Sequence, residues 1–228
     1  MNFVHKLFEE KPLSRITEDG KRLYVTESGE RYPSVTTALS YLSAKSIRQW
    51  KERVGYDVAN KIGSEAARAG TAVHNVAEKY VLNDPTWKDA MPIPLQKFNT
   101  IRPYLDDNVT EIYGVELRMY SDELQTAGTA DLICLYDGVP TILDFKTSRR
   151  RKSKDDILSY FMQGTAYSIM VKEHYGMDIE QIVILMAVND DSPIVFIEPI
   201  RQHDQMVRKY FDLHSKGMLD KLLILLLI

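Results

Sequence analysis

Residues 128–148 read Gly128-Thr-Ala-Asp131-Leu-Ile-Cys-Leu-Tyr-Asp137-Gly138-Val-Pro-Thr-Ile-Leu-Asp144-Phe-Lys146-Thr-Ser. The central Asp-Gly pair separates two apolar runs, which is the strongest short-range signal for a two-residue β-hairpin. A turn at this pair places Asp131 directly opposite Asp144 on one face of the sheet, with Cβ atoms about 4.5–5.5 Å apart. Lys146 follows Asp144 by two residues and shares that face. The hairpin therefore predicts a cluster of two carboxylates and one ammonium group.

The predicted cluster lies among apolar neighbours, which makes its charges costly. Two carboxylates at this separation repel each other, and burial pushes one of them toward protonation. A divalent cation removes the conflict, and oxygen ligands select a hard ion such as Mg²⁺ or Mn²⁺. The plainer alternative is that Lys146 joins the two acids in a structural ion pair. Because a buried three-charge cluster in a central hairpin is expensive, we favour the functional interpretation.

The flanking sequence predicts an α/β (or α+β) fold. Strands are expected at 111–120, 126–136, 139–147, 181–188 and 193–198, and helices at 153–175 and 201–216. In front of them we expect a small hairpin at 22–33, a helix from Val35 capped by Ser34, a helical region at 46–81 divided at Gly55, Gly63 and Gly70, and a helix after Pro92 and Pro94. We expect one domain over 1–228, with a hairpin and helical part at 1–110, a core at 111–200, and a C-terminal helix and apolar tail at 201–228.

The composition excludes several classes of protein. A single cysteine, Cys134, excludes a disulfide framework, a cysteine-held zinc site and a four-cysteine iron–sulfur cluster. The apolar tail Leu222–Ile228 is far shorter than the about 20 residues of a membrane helix, so no membrane association and a cytoplasmic location are expected. The net charge of −3 argues against coating of nucleic acid by global positive charge. Residues 145–154 nevertheless contain six basic residues and no acid, which favours local contact.

Four motifs occur along residues 32–167. They are Tyr32-Pro33-Ser34-Val35-Thr36 with Leu39 and Trp50, Gly70-Thr71-Ala72-Val73-His74 with Glu78, the GTADL…ILDFKTS hairpin, and Gln163-Gly-Thr-Ala-Tyr167. In this order they resemble the RecB-like exonucleases of the PD-(D/E)XK nuclease superfamily. They are similar to the group of the mitochondrial genome maintenance exonuclease and related phage exonucleases. The resemblance implies a restriction-endonuclease-like core, with a central mixed β-sheet flanked by helices and an N-terminal helical insertion.

The resemblance also implies roles for individual residues. The implied catalytic residues are Asp131, Asp144, Lys146, Gln163 and Tyr167. The implied ligands of one or two Mg²⁺ or Mn²⁺ ions are His74, Asp131, Asp144 and the backbone carbonyl of Phe145. Glu78, four residues after His74, either orients that histidine or lies on a solvated helix face.

Glu116 is a further candidate acid on the strand before the hairpin. If a two-residue turn falls at Asp122-Glu123, Glu116 shares the face of Asp131 and becomes a possible additional metal ligand.

Basic and aromatic residues outside the hairpin are the candidate DNA contacts. They are Arg149, Arg150, Arg151, Lys152 and Lys154 after the last hairpin strand, and Arg48, Trp50 and Lys51 in the helical region, where the indole is available to stack on a base.

The function predicted is a metal-dependent DNA exonuclease that prefers single-stranded DNA or a free end. Its setting would be DNA replication, recombination or repair, or phage DNA processing in the host cytoplasm. Two alternatives remain open: an endonuclease or flap-type nuclease, and a catalytically silent scaffold that binds DNA or a replication partner.

Overall fold

The turn at Asp137-Gly138 forms as predicted. The computed structural model describes residues 2–18, 20–189 and 192–219, and in it both turn residues have positive φ, 53° and 75°, as a type I′ turn requires. The two strands pair from Tyr136↔Val139 to Leu132↔Leu143. This is the predicted register, so the prediction of the hairpin is confirmed.

The hairpin lies in the middle of a six-stranded mixed sheet. In chain order the strands are β1 (Val4–His5), β2 (Leu13–Glu18), β3 (Lys21–Thr26), β4 (Arg31–Pro33), β5 (Val109–Ser121), β6 (Thr126–Tyr136), β7 (Val139–Ser148), β8 (Gln181–Val188) and β9 (Ile194–Pro199). The helices are α1 (Val35–Leu39), α2 (Tyr41–Val54), α3 (Tyr56–Val81), α4 (Pro92–Asn108), α5 (Leu158–Tyr175) and α6 (Asp204–Ser215). The large sheet has the order β1-β5-β6-β7-β8-β9, and β2-β3-β4 form a separate small sheet.

Strand directions make the large sheet mixed. β5, β6 and β7 are antiparallel neighbours, whereas β7 and β8 are parallel and are joined through α5. β1 and β5 are also parallel, and β9 is antiparallel to β8. The predicted fold class, a central mixed sheet flanked by helices, is confirmed.

The alternation of apolar residues along β6 and β7 places helices on both faces of the sheet. Leu132 and Leu143 pack with residues of α3 and α4 in one cluster. Ile133 and Ile142 pack with residues of α5 and α6 in another. The strands are therefore apolar on both faces, as expected for the centre of a layered α/β fold.

The N-terminal part differs in detail from the prediction. Ser34 caps α1 by accepting a hydrogen bond from the N–H of Thr37, as expected. In the helical region, however, only Gly55 separates two helices, because its φ of 89° turns the chain between α2 and α3. Gly63 and Gly70 lie inside the continuous helix α3, so the prediction of breaks there is wrong.

Two further features were not predicted from the sequence. Strand β2 pairs with β3 and turns the predicted hairpin into a three-stranded sheet. Strand β1 pairs with β5 at the edge of the large sheet. The apolar tail Leu222–Ile228 lies outside the described residues. Among the residues described, no helix combines the length and apolarity needed to cross a membrane.

Gly164 tests how tightly α5 packs on the sheet. A Cβ at this position would lie 2.8 Å from Cγ2 of Ile182 on β8, so Gly164→Ala should lower the free energy of unfolding by about 1–3 kcal/mol. Urea unfolding followed by circular dichroism measures the change. The matched control is Gly63→Ala in α3, where a Cβ would meet no described atom within 4 Å apart from its chain neighbours and the backbone of its own helix and alanine should raise stability by roughly 0.5–1 kcal/mol. Equal effects of the two substitutions would contradict the packing described.

Candidate active site

Asp131 lies at the point where the β6–β7 ladder ends. The last paired residues are Leu132 and Leu143. One step further, Asp131 Oδ2 accepts a hydrogen bond of 2.9 Å from the backbone N–H of Phe145. Because the N–H and C=O of one strand residue point toward the same neighbouring strand, the Phe145 carbonyl also faces β6. The Asp131 carboxylate and the Phe145 carbonyl, both expected to bind metal, therefore lie on the same side of β7, at the end of the β6–β7 ladder.

His74, Glu116 and Asp131 form a cluster of three potential metal ligands. One ligand atom from each lies within 4.8 Å of the other two, and His74 Nδ1 is 3.4 Å from Asp131 Oδ2. Ligands held about 2.1 Å from one Mg²⁺ ion are roughly 3–4.2 Å apart. Small side-chain rotations therefore bring all three onto a single ion. All three residues are half-buried, so the cluster is open to solvent.

Glu116 reaches the cluster through an unusual backbone conformation. Its neighbours on β5 pair as Val115↔Leu132 and Leu117↔Ala130, which places Glu116 opposite Asp131. Its φ of 47° lies in the left-handed region, which a non-glycine residue adopts at a cost of about 1–3 kcal/mol. Strain of this kind is concentrated at functional sites, and here it coincides with the carboxylate cluster.

The turn that sets the Glu116 register has more than two residues. Strands β5 and β6 are joined through residues 122–125, so the two-residue turn at Asp122-Glu123, which was the condition for placing Glu116 beside Asp131, does not form. The longer turn is held by Ser121 Oγ, which accepts the N–H of the buried Leu124 at 2.9 Å. Glu116 still shares a face with Asp131, because adding two residues to the turn preserves the alternation.

The electrostatics of the cluster favour a bound cation. Burial raises the pKa of Glu116 to about 7, and the negative charges of Asp131, Glu78 and Asp144 add to the effect. These four acidic side chains therefore lie close enough for their negative charges to repel one another. Their oxygens, with one imidazole, suit Mg²⁺ or Mn²⁺, which relieves the repulsion when bound.

Asp144 is not part of the three-residue cluster. Its side chain is buried, and its Oδ2 forms an ion pair with Lys146 Nζ. The same oxygen has no hydrogen-bond partner of acceptable geometry. Burial raises the pKa of Asp144 to about 6 although the Lys146 charge opposes the shift. Of the expected ligands, His74 and Asp131 thus come together with Glu116, whereas Asp144 faces the lysine.

Gln163 and Tyr167 line the same cavity from α5. Both are buried, and Gln163 Nε2 donates a hydrogen bond of 3.2 Å to Tyr167 Oη. The phenol rests directly on Gly128 of β6, where a Cβ would lie 2.8 Å from Tyr167 Oη. Glycine is therefore required at the start of the GTAD motif for Tyr167 to reach the site.

An open cavity of about 450 Å³ contains the cluster. Glu78 lines it, as does Lys146. Sequence reasoning missed Arg15 on β2, which also lines it and whose charge opposes the upward pKa shift of Glu116. No sequence signal marked this arginine, because β2 itself was not recognised as a strand. The cavity is also lined by Tyr24, Ser34, Thr36, Thr71 and Asn75.

The basic run after β7 lies beside the cavity without lining it. Arg149 is 3.3 Å from the Glu65 carboxylate on α3, and Lys154 forms an ion pair with the buried Glu198. Lys152 donates to Tyr160 Oη at 3.1 Å. Arg150 and Arg151 are exposed, as are Arg149 and Lys154, and Arg151 donates to the carbonyl of Ser192.

The three candidate DNA contacts of the helical region also lie away from the cavity. Arg48, Trp50 and Lys51 are on α2, in which no residue is buried, and none of the three lines the cavity. The structure therefore groups the hairpin, α3 and α5 residues but does not bring these three to them.

Comparisons with known proteins give little further information. No protein-family model matches the chain, and no curated protein matches it. Among solved structures, the chain is similar to a crystal structure described as a "Putative exonuclease" from Eubacterium rectale, at 14% identity and a TM-score of 0.42, over 66% of this chain and 68% of that one. A likeness this distant carries no argument about function.

The pKa of Glu116 predicts how the stability of the metal-free protein depends on pH. Folding raises this pKa from 4.5 to about 7, so the unfolded chain loses the proton first, and the free energy of unfolding falls as pH rises between these values. Asp144 acts in the same direction up to about pH 6. Glu116→Gln should therefore flatten the slope mainly between about pH 6 and 7, as measured by urea unfolding in EDTA.

Binding of Mn²⁺ to the cluster can be measured by its effect on thermal stability. An ion bound at the cluster should raise the melting temperature of the wild-type protein at pH 7 by mass action, and Asp131→Asn should reduce that rise.

The pH experiment has its own contradicting outcome. If the free energy of unfolding of Glu116→Gln depended on pH as steeply as that of the wild type, the pKa of this carboxyl would not be raised as described.

Proposed function

We propose that this chain is a divalent-metal-dependent nuclease that hydrolyses phosphodiester bonds in DNA, acting from DNA ends. The observation that carries the proposal is the convergence of His74, Glu116 and Asp131 in an open cavity, with the Asp144–Lys146 ion pair beside them. The motif resemblance described above supports the same reaction. The ion would be Mg²⁺ or Mn²⁺, since carboxylates dominate the ligand set.

The chain's own groups then have distinct tasks. A bound cation supplies Lewis acidity and a lowered pKa for water. Asp131, Glu116 and His74 would hold it, and the Phe145 carbonyl would be available as a further ligand. Lys146 lies at the cavity wall, and its ammonium offsets the negative charge that develops on the phosphate oxygens. Gln163 and Tyr167, which also line the cavity, offer an amide and a hydroxyl to orient the substrate.

The protonation state of Lys146 fits this task. Burial acts to lower its pKa, but the carboxylates of Asp144 and Asp131 outweigh burial, and the pKa is above its ordinary value. The side chain is therefore a cation at neutral pH, suited to charge stabilisation and not to proton abstraction.

Cavity size supports a preference for single strands. About 450 Å³ is within the range of pockets that hold one small-molecule-sized group. Such a space suits a single strand better than a duplex. The exposed members of the basic run 149–154 would then contact the backbone of the strand outside the cavity.

The decisive experiment is digestion of DNA labelled at either the 5′ or the 3′ end, single- and double-stranded, with Mg²⁺ or Mn²⁺. Stepwise loss from one end, with circular single-stranded DNA left intact, is the expected result. Cleavage of the circle would identify an endonuclease instead. Binding of DNA with no cleavage under either metal would contradict the proposal and favour a silent DNA-binding scaffold.

Substitutions in the ion pair test the assignment of the site. Lys146→Ala and Asp144→Asn should each lower kcat at least about 100-fold with little change in DNA affinity, because the first removes the ammonium that offsets charge on the phosphate and the second removes the carboxylate paired with that ammonium. The matched control is Lys172→Ala, which removes an exposed lysine paired with Asp178 on the surface and should leave turnover unchanged. Near-normal turnover in Lys146→Ala would place the active site elsewhere.

A further inference from the structure

Tyr160 lies in the first turn of α5, between the proposed active site and the basic run. Its half-buried ring packs against the apolar cluster that includes Phe161, Ile184 and Met186. Met186 pairs with Lys146 across β7 and β8, so the ring is supported beside the lysine. None of the four sequence motifs includes this tyrosine.

Two ammonium groups lie on the Tyr160 ring. Lys146 Nζ is 4.9 Å from the ring centroid, and Lys152 Nζ is 5.1 Å from it. Both distances are within the range of favourable cation–π contacts. Lys152 also donates a hydrogen bond of 3.1 Å to Tyr160 Oη. The ring attracts both cations, whereas the hydroxyl contacts only Lys152 of the two.

Lys146 needs such a contact because more than one carboxylate attracts it. Asp144 and Asp131 both act on its charge, and its four-carbon side chain is flexible. If the ammonium moved to Asp131, it would compete with a metal ion for the cluster of His74, Glu116 and Asp131. In the structure the ammonium instead contacts the Asp144 carboxylate and the Tyr160 ring.

We propose that Tyr160 is a positioning residue whose ring holds the Lys146 ammonium in place beside Asp144, leaving Asp131 free for the metal. This inference rests on the proposed nuclease function. It assigns Tyr160 no direct contact with the substrate.

The test compares Tyr160→Leu with Tyr160→Phe. Leucine removes the ring, and kcat should fall on the order of tenfold with little change in KM, because a group acting in the transition state is displaced. Phenylalanine keeps the ring and loses only the hydroxyl contact to Lys152, so kcat should stay close to that of the wild type. Equal losses in both variants, or no loss in Tyr160→Leu, would overturn the proposal.

A second readout does not depend on activity. The ring current of Tyr160 shifts the NMR signals of the Lys146 ε-methylene upfield, so in lysine-labelled protein these signals should move downfield in Tyr160→Leu and stay in place in Tyr160→Phe. Unmoved signals in Tyr160→Leu would overturn the contact. If the wild-type protein cleaves no DNA, the proposed function fails, and the NMR comparison alone decides whether Tyr160 holds Lys146.

Phe196→Leu controls for a general loss of packing. Phe196 belongs to the same apolar cluster but lies opposite Ile184 on the next strand. This variant should lower the melting temperature and leave kcat unchanged per folded molecule. A comparable fall of kcat in Phe196→Leu would show that the effect of Tyr160→Leu is structural and would overturn the proposal.

Discussion

Repulsion among buried and half-buried carboxylates is the constraint around which the centre of this molecule is arranged. Strand register brings Glu116, Asp131 and Asp144 together at the end of the β6–β7 ladder, where burial makes their charges costly. Each carboxylate is compensated differently. Asp144 has the Lys146 ammonium, Asp131 has a backbone N–H and an imidazole, and the charge of Arg15 opposes the raised pKa of Glu116 without cancelling it. The negative charge is therefore least compensated at the cluster of His74, Glu116 and Asp131.

The neighbouring elements serve this arrangement in recognisable ways. Helix α3 supplies His74, and α5 brings Tyr167 onto Gly128 at a distance that tolerates no Cβ. The small sheet β2-β3-β4 is joined to the core by the hydrogen bond from Thr126 Oγ1 to the carbonyl of Pro33. The site is thus assembled from elements distant in sequence, each fixed to the same hairpin.

The hairpin could be predicted from the sequence because its information is local. An Asp-Gly turn fixes the register, and the register places Asp131 opposite Asp144 without knowledge of the rest of the chain. Glu116 was harder, since its position depended on a turn that is fixed by tertiary contacts, namely the hydrogen bond from Ser121 to Glu173 and the packing of Leu124 in the core. The alternation of the strand nevertheless preserved its face.

Arg15 and the uninterrupted course of α3 were beyond sequence reasoning for a different reason. Strand β2 has mostly exposed side chains, so it carries little apolar periodicity. Gly63 and Gly70 are helix-breaking by propensity, but the contacts of α3 with its neighbours override a cost of about 1 kcal/mol at each. Site residues on weakly patterned elements are identified only when the tertiary structure is known.

The edge of the large sheet has a consequence for the order in which the molecule folds. β1 contributes only two residues, and it pairs Val4 with Glu111 across more than one hundred residues of intervening chain. Closing so long a loop for so few hydrogen bonds gains little free energy until β5 is already held by β6. β1 is therefore expected to join the sheet late in folding. It is also expected to be the first strand to detach in native-state hydrogen exchange, while the β6–β7 hairpin retains its protection.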